Sequence, residues 1–498
     1  MVTGQGLPAL AQYGDDATNR WLSAAAHLDA AYARDTDHEL TKDRLTALGP
    51  SLGVDLVAVA RHVRLAVRRS DHRDALLSVL LAAWAGAAVS LVYGLVRNMA
   101  TLTDLALYAL VAALGGAWIL VLLFEHRART LALRVVEADD PPDTLAPPLD
   151  KDLEAGLRAQ ERTNVVPYEE EAEFRHPFVG SGDAFQERVW QPIDIGTPAA
   201  SPTGGTLSVI PFDVVDLHTY VAREMGKIAG LQGLRARNRL YVLGTRVRHA
   251  GEELLPDRLN PPRALLPKQM VQAGLVRSGG GMRTYLCLER VGEGGRVIVS
   301  MHLRARLQHP SLTWEVGVYL IPPLHPRFEE VRTLRLDAFG HWWTLGTFST
   351  RTFLPALFGA PSRLARHAYA WAAHRWRMGH LRRDIGRRHV EFDYGASTSV
   401  RQRAADWEQW RYSDRTDAQD FAQRLQQGVL TATEHFLKAH NVDTSSFDQA
   451  QQVINHHSYN FAGPIKGPSI FGAHGTVNVP AGGPGPGQPP AAPAPAQP

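Results

Sequence analysis

Few residues in this chain have the type and spacing for chemistry. Cys287 is the only cysteine, and a thiol can serve as a nucleophile when it ionises. It lies in the apolar run TYLCLERV, the setting of a small buried core residue. One cysteine excludes an intramolecular disulfide and a thiolate zinc cluster, and suits a reducing compartment. Glu434-His435 with His440 lacks the HExxH spacing, because residues five apart do not share a helix face. His456-His457 would need distant partners to hold a metal. Asp213 and Asp216 could pair as acid and base, but they precede an apolar periodic run, where such spacing caps a helix. Gly180-Ser181-Gly182 and Ser278 to Gly281 could cradle phosphate, yet neither carries a P-loop Lys-Ser/Thr or a strand-then-helix setting. No Gly-x-Ser-x-Gly elbow or kinase signature occurs. No catalytic, cofactor or metal residue is therefore assigned.

The element that must position the rest is a pair of apolar runs, Ala75 to Val96 and Leu105 to Phe124. As helices each is about 30 Å long, the thickness of a bilayer core. Arg61, Arg64, Arg68, Arg69 and Arg73 precede the first, and Arg127, Arg129 and Arg134 follow the second. The short connection carries Arg97 and Asp104. That asymmetry predicts a multi-pass plasma-membrane hairpin with both termini inside and most of the chain cytosolic. The first residues show no basic stretch followed by an apolar core, so no cleavable signal is expected. Ser78, Ala82, Gly86, Ser90 and Gly94 put a small residue at every fourth position of the first run. Ala82, Gly86, Ser90 and Gly94 are the expected packing residues, within the hairpin or between copies in a homo-oligomer. Ala109, Ala113 and Ala117 would answer them from the second run. No ionisable residue lies inside either run, which argues against an ion pathway.

A second feature is the basic segment PSRLARHAYAWAAHRWRMGHLRRDIGRRH, with eight arginines against Asp384. Leu364, Trp371, Met378 and Ile385 repeat every seven residues. Arg363, Arg366, Trp371, Arg375, Trp376, Arg377, Arg382, Arg383, Arg387 and Arg388 are the candidate contacts to anionic lipid headgroups or a protein partner. The net charge of +3 is too weak to point to nucleic acid. Only six of the 53 basic residues are lysine; in an Ala-, Gly- and Pro-rich chain that reflects a high-GC genome rather than a function.

The chain divides into an N-terminal helical region (1–74), the hairpin (75–125, with spans 75–96 and 105–124) and an acidic, proline-rich linker (137–159). The basic helix leading into the first span should hold its arginines near the headgroups. The linker, with prolines paired at 141–142 and 147–148, reads as a semi-rigid spacer. Residues 160–325 read as a cytosolic α+β domain with an antiparallel sheet. RVWQPIDI, RLYVLGTRV, RTYLCLERV, RVIVSMHLRARL and LTWEVGVYLI are the strands, and the last three form a meander. Val214, Leu217, Val221, Met225 and Ile228 mark a covering helix capped by Asp213. Residues 330–460 are aromatic, basic and then helical, with Phe421, Leu425, Val429, Ala432 and Phe436 on one face and Asp417 as cap. A Gly-punctuated segment (461–480) and a disordered Pro/Gly/Ala/Gln tail (481–498) follow.

NVVPY (164–168), HPFVGSGDAFQERVW (176–190), RTYLCLERV with RVIVSMHLRARL, LTWEVGVYLIPPL and VDTSSFDQAQQVIN together resemble a family of uncharacterised actinobacterial integral membrane proteins. The likeness runs from about Gly53 to Asn478 and includes a Pro-Phe-Val-Gly-Ser-Gly element, Pro177 to Gly182, ahead of Trp190. It implies the two-span hairpin and large cytosolic region, and no catalytic residue or cofactor. The expectation is a membrane-anchored interaction or sensing module. The alternatives are a membrane-bound enzyme with its site in 160–325, or an effector whose hairpins oligomerise in the bilayer.

Overall fold

A computed structural model describes Gly14 and residues 16–228, 230–334, 337–388, 391–445 and 447. The chain opens with α1 (Ala17–Leu28) and α2 (Ala30–Asp37), the second started by the Asp29 carboxylate accepting from the amides of Ala31 and Tyr32. Then come α3 (Leu56–Val96) and α4 (Ala100–Glu137), the two long apolar helices. The Asp55 side chain accepts from the amides of Val57 and Ala58 and so fixes where α3 begins. Below the apolar stretch, α1, α3 and α4 bury Trp21, Leu22, Val59, Val63, Ala132 and Val135 in a helical core.

The acidic stretch does not stand off as a spacer. It folds back on this core as a turn at Pro142–Leu145 and as α5 (Lys151–Gln160), which buries Leu157. Its charges find partners there: Glu154 meets Arg61 at 2.8 Å, and Arg61 also donates to the Asp143 carbonyl. Arg64 reaches Asp37 at 3.3 Å, and Arg69 donates to the His27 carbonyl. Three of the arginines expected near headgroups are thus held by the protein itself, because an acid or carbonyl within reach competes with lipid. Arg68 alone of that group is exposed.

The second half is built on seven strands: β1 (Val165–Tyr168), β2 (Asp183–Val189), β3 (Ile193–Asp194), β4 (Arg235–Leu243), β5 (Met282–Val291), β6 (Ile298–Gln308) and β7 (Ser311–Ile321). Their order is β1-β4-β5-β6-β7-β2, with β3 also on β7. The β5-β6-β7 meander is antiparallel, as its turns imply. The sheet as a whole is mixed and not antiparallel. NVVPY forms the edge strand β1, which runs parallel to β4 with Val165 opposite Leu240. The long connection from β1 to β4 leaves the chain free to return in the same direction, which a hairpin cannot do. RVWQPIDI is two strands, broken at Trp190 and Pro192.

One sheet face is covered by α6 (Val214–Met225) and by α10 (Tyr412–Ala439). Asp213 and Asp216 form a reciprocal capping box at the start of α6. Leu425, Val429, Ala432 and Phe436 of α10 are buried against Leu217, Val221 and Met225. Asp417 is not its cap: α10 begins at Tyr412 after Arg411, five residues upstream. Between them in the chain come α7 (Lys268–Val276), the long α8 (Ala338–Arg388) and the short α9 (Val400–Arg403).

Candidate membrane-facing site

Windows of α3 and α4 have mean hydropathy of 2.2 and 2.4, and only 6% and 17% of them is buried. A core helix of a water-soluble body would hide such side chains. Here Leu76, Val79, Val89, Val92, Leu105, Leu107, Val111, Ile119 and Leu123 are exposed in two facing helices. The two helices are long and apolar enough to cross a membrane.

Leu77, Ala87 and Gly94 of α3, with Ala106, Ala113, Ala117 and Val121 of α4, are buried in the hairpin. At Gly94 an added Cβ would lie 2.8 Å from the Thr103 hydroxyl, so only glycine fits. The expected four-residue stripe is therefore mostly not the seam. Ala82 and Gly86 are exposed, Ser90 is half-buried, and a Cβ at Gly86 would meet nothing within 4 Å. A spacing of four advances 400° around a helix of 100° per residue, so the stripe drifts about 40° per step. Only its last member reaches the partner helix, and Ala87 takes the place assigned to Gly86.

The sequence did not reveal that α8 packs on this hairpin. It carries Pro355 and Pro361 internally. His341 meets His126 at 3.0 Å, and Arg129 donates to Thr344. Further along, the Trp118 indole donates to Thr350 at 3.1 Å. Phe353, Ala356, Leu357 and Ala360 then pack on Leu77, Leu80, Leu81, Leu114 and Ala117, and Phe358 stacks edge-on with Trp84. Arg363 returns to Asp74, with Nε at 2.8 Å. The helix thus enters along the lower part of α4 and leaves along α3. Asp74 and Trp84 are about 15 Å apart along α3. Each proline removes one helical hydrogen bond where this path turns. The cue was present in AFGHWWTLGTFSTRTFLPALFGAP, whose only charged residue between Asp337 and Arg363 is Arg351. The prolines and polar threonines masked it as a span.

Asp74 is fully buried between Arg73 and Arg363. Burial pushes its carboxyl up, but the hydrogen bond and charge of Arg363, with Arg73, outweigh this and lower it. Arg363 is therefore committed to Asp74 and not to a lipid. His367 lies 3.6 Å from Asp71 and His374 meets the His38 ring edge-on, so this half of α8 follows α3 toward its start. Along it Arg366, Arg375, Arg377, Arg382, Arg383, Trp371 and Trp376 are all exposed, and Arg375 sits over the Trp371 ring. Leu364, Met378 and Ile385 face inward to differing degrees, but Trp371 does not, because a seven-residue repeat drifts on a straight helix. The side chains of Arg387 and Arg388 lie outside the described residues.

A second cluster lies on the other sheet face, centred on His302. Phe178 stacks on its ring at 4.1 Å, Ser181 Oγ meets Nε2 at 2.9 Å and Cys287 Sγ lies 3.2 Å from Nδ1. Cys287 and His302 are direct cross-strand partners. The Pro177 to Gly182 element thus closes the sheet. A Cβ on Gly182, at φ +94°, would meet the Leu320 carbonyl at 2.1 Å. Burial pushes the Cys287 thiol up to about 11 and holds His302 well below 6.5. Both groups are neutral and fully enclosed, the reverse of an activated thiolate–imidazolium pair.

Among the described residues no group of three or more His, Cys, Asp or Glu is placed to hold a metal ion. Residues 189–476 match the AbeC-like domain family. The match takes in the meander, α6, α8 and α10, and begins after the hairpin and the Pro177 to Gly182 element. No curated protein and no solved structure matches the chain.

Proposed function

We propose that this chain, which belongs to the AbeC-like domain family, is a membrane-anchored cytosolic module that binds or senses a partner at the inner face of the plasma membrane. The reading is carried by one observation: the apolar side chains of α3 and α4 are exposed beyond Asp74 and His126, and α8 continues that apolar surface with Phe339, Trp342 and Trp343. Both termini lie inside, since Arg68, Arg127 and Arg134 flank the hairpin against Arg97 and Asp104 at its tip. The exposed Arg and Trp face from Arg366 to Arg383 is the surface offered to anionic headgroups or an acidic protein. The actinobacterial likeness adds a bacterial inner membrane as the setting.

Cysteine labelling in intact cells tests the topology. Cys287 is enclosed, so a membrane-impermeant maleimide should modify Asn98→Cys from outside and Glu252→Cys only after permeabilisation. Modification of both, or of Glu252→Cys alone, would overturn the reading.

A further inference from the structure

Where α8 crosses α4, Trp118, Trp342 and Trp343 wall an open groove of about 360 Å³ whose floor is Gly346 and Thr347 and whose far end is Thr350 and Arg351. These positions of α8 fall on one helical face, at i, i+1, i+4, i+5, i+8 and i+9. An added Cβ on Gly346 would meet nothing within 4 Å, so the glycine leaves a notch and is not needed for packing. Arg351 is exposed, and makes no hydrogen bond or ion pair with any described residue. It stands beside Thr350, whose hydroxyl is held by Trp118, seven residues or about 10 Å inside Glu125 on α4.

We infer that this groove binds one anionic phospholipid of the inner leaflet, with its phosphate on Arg351 and its first acyl carbons between the tryptophans. The inference rests on the anchor reading above, since the groove must face lipid. A lone guanidinium at that depth is costly unless an anion meets it. No acid of the hairpin is in reach: Glu125 is held by Arg129 and Asp74 by Arg73 and Arg363. The guanidinium fork matches a phosphate, and its aliphatic stem lets it reach toward the headgroup layer. Indole rings favour this boundary, where the acyl carbons begin. The acyl chain would lie along Ile119, which is also exposed.

The test is native mass spectrometry of the full chain, delipidated in detergent and titrated with phosphatidylglycerol or with phosphatidylcholine of the same acyl chains. The expected result is one tightly retained phosphatidylglycerol, lost about tenfold in Arg351→Gln, the effect of one charge-assisted contact. Arg351→Lys should recover part of it. Gly346→Leu, whose Cβ meets nothing within 4 Å, should fold normally and lower retention of the same lipid by filling the notch. Equal retention by wild type and Arg351→Gln would overturn the site, as would equal retention of the two lipids, or displacement by glycerol phosphate alone at matched concentration. The Asn98→Cys labelling separates the two levels. If the loop is labelled from outside and retention ignores Arg351, the lipid site fails and the anchor stands. If the loop is never labelled, the anchor itself fails.

Discussion

Asp74 and Arg363 join residues 289 apart in sequence at the point where α8 leaves the hairpin. With Asp74 fully buried, Asp74→Asn should cost roughly 1.5–3 kcal/mol, the range for hydrogen bonds to a charged group. The measurement is the unfolding midpoint in detergent. The double variant Asp74→Asn/Arg363→Gln should recover part of that loss, because the arginine is no longer left facing a neutral amide. A second buried set reads in one direction: Arg69 to His27 Nδ1 at 3.1 Å, His27 Nε2 to His62 Nδ1 at 3.0 Å, and His62 Nε2 to the Pro142 carbonyl at 2.8 Å. Arg69 can only donate and the carbonyl only accept, so both imidazoles are neutral and each passes one N–H along. Burial first, then Arg69 for His27 and Arg61 for His62, hold both below 6.5. Asp143 and the Pro142 carbonyl pull His62 the other way without reversing the direction. The unfolded chain therefore binds protons that the folded chain refuses. Stability is complete above about pH 6.5 and falls as the pH drops below it, by at most about 1.4 kcal/mol per pH unit for each histidine. Replacing His62 by Gln should flatten that slope in a pH series of unfolding midpoints; an unchanged slope would rule the pair out as its source.

At the scale of elements, the hairpin separates two glycines that the sequence makes equivalent. An added Cβ would meet Thr103 at Gly94 and nothing within 4 Å at Gly86. Gly94→Leu should force the helices apart and lower the unfolding midpoint, at an overpacking cost of about 1–3 kcal/mol. Gly86→Leu should leave that midpoint unchanged. If copies of the chain associate through the outward face, Gly86→Leu is also the variant that shifts the assembly toward monomer in a crosslinking ladder. The strands show what was legible: β5, β6 and β7 have long alternating or fully apolar runs with Gly- or Pro-bearing turns between them, and their order follows from the chain. The strand β1 was not, since four residues ending at Pro167-Tyr168 carry no periodicity. Its place depends on pairing with β4, which only the assembled sheet supplies.

At the scale of the molecule, the regions that composition separates share a core. Arg401 of α9 donates to the carbonyls of Arg296 and Pro322, each at 2.7 Å, while its neighbours Val400 and Ala404 pack with the N-terminal helices. Thr18 of α1 donates to the Gly294 carbonyl in the turn between β5 and β6. The N-terminal helices and the sheet should therefore unfold together. Hydrogen exchange in increasing denaturant should expose α1 and β6 at the same midpoint; two separated midpoints would show independent domains.

The sequence by itself determined the two apolar helices, the sign of the charge at their ends, the meander and the faces of α6 and α10. Those follow from local periodicity and composition, which each segment carries alone. The tertiary structure decided which small residues meet across the hairpin, that the acidic stretch is held by Arg61, and that the Pro177 to Gly182 element closes over His302. It also decided that α8 packs against the hairpin and brings Arg351 beside Trp118. Most of these depend on partners far apart in sequence, 93 residues for Arg61 and Glu154, 121 for Ser181 and His302 and 232 for Trp118 and Thr350, and no short window of the chain contains both sides of such a contact.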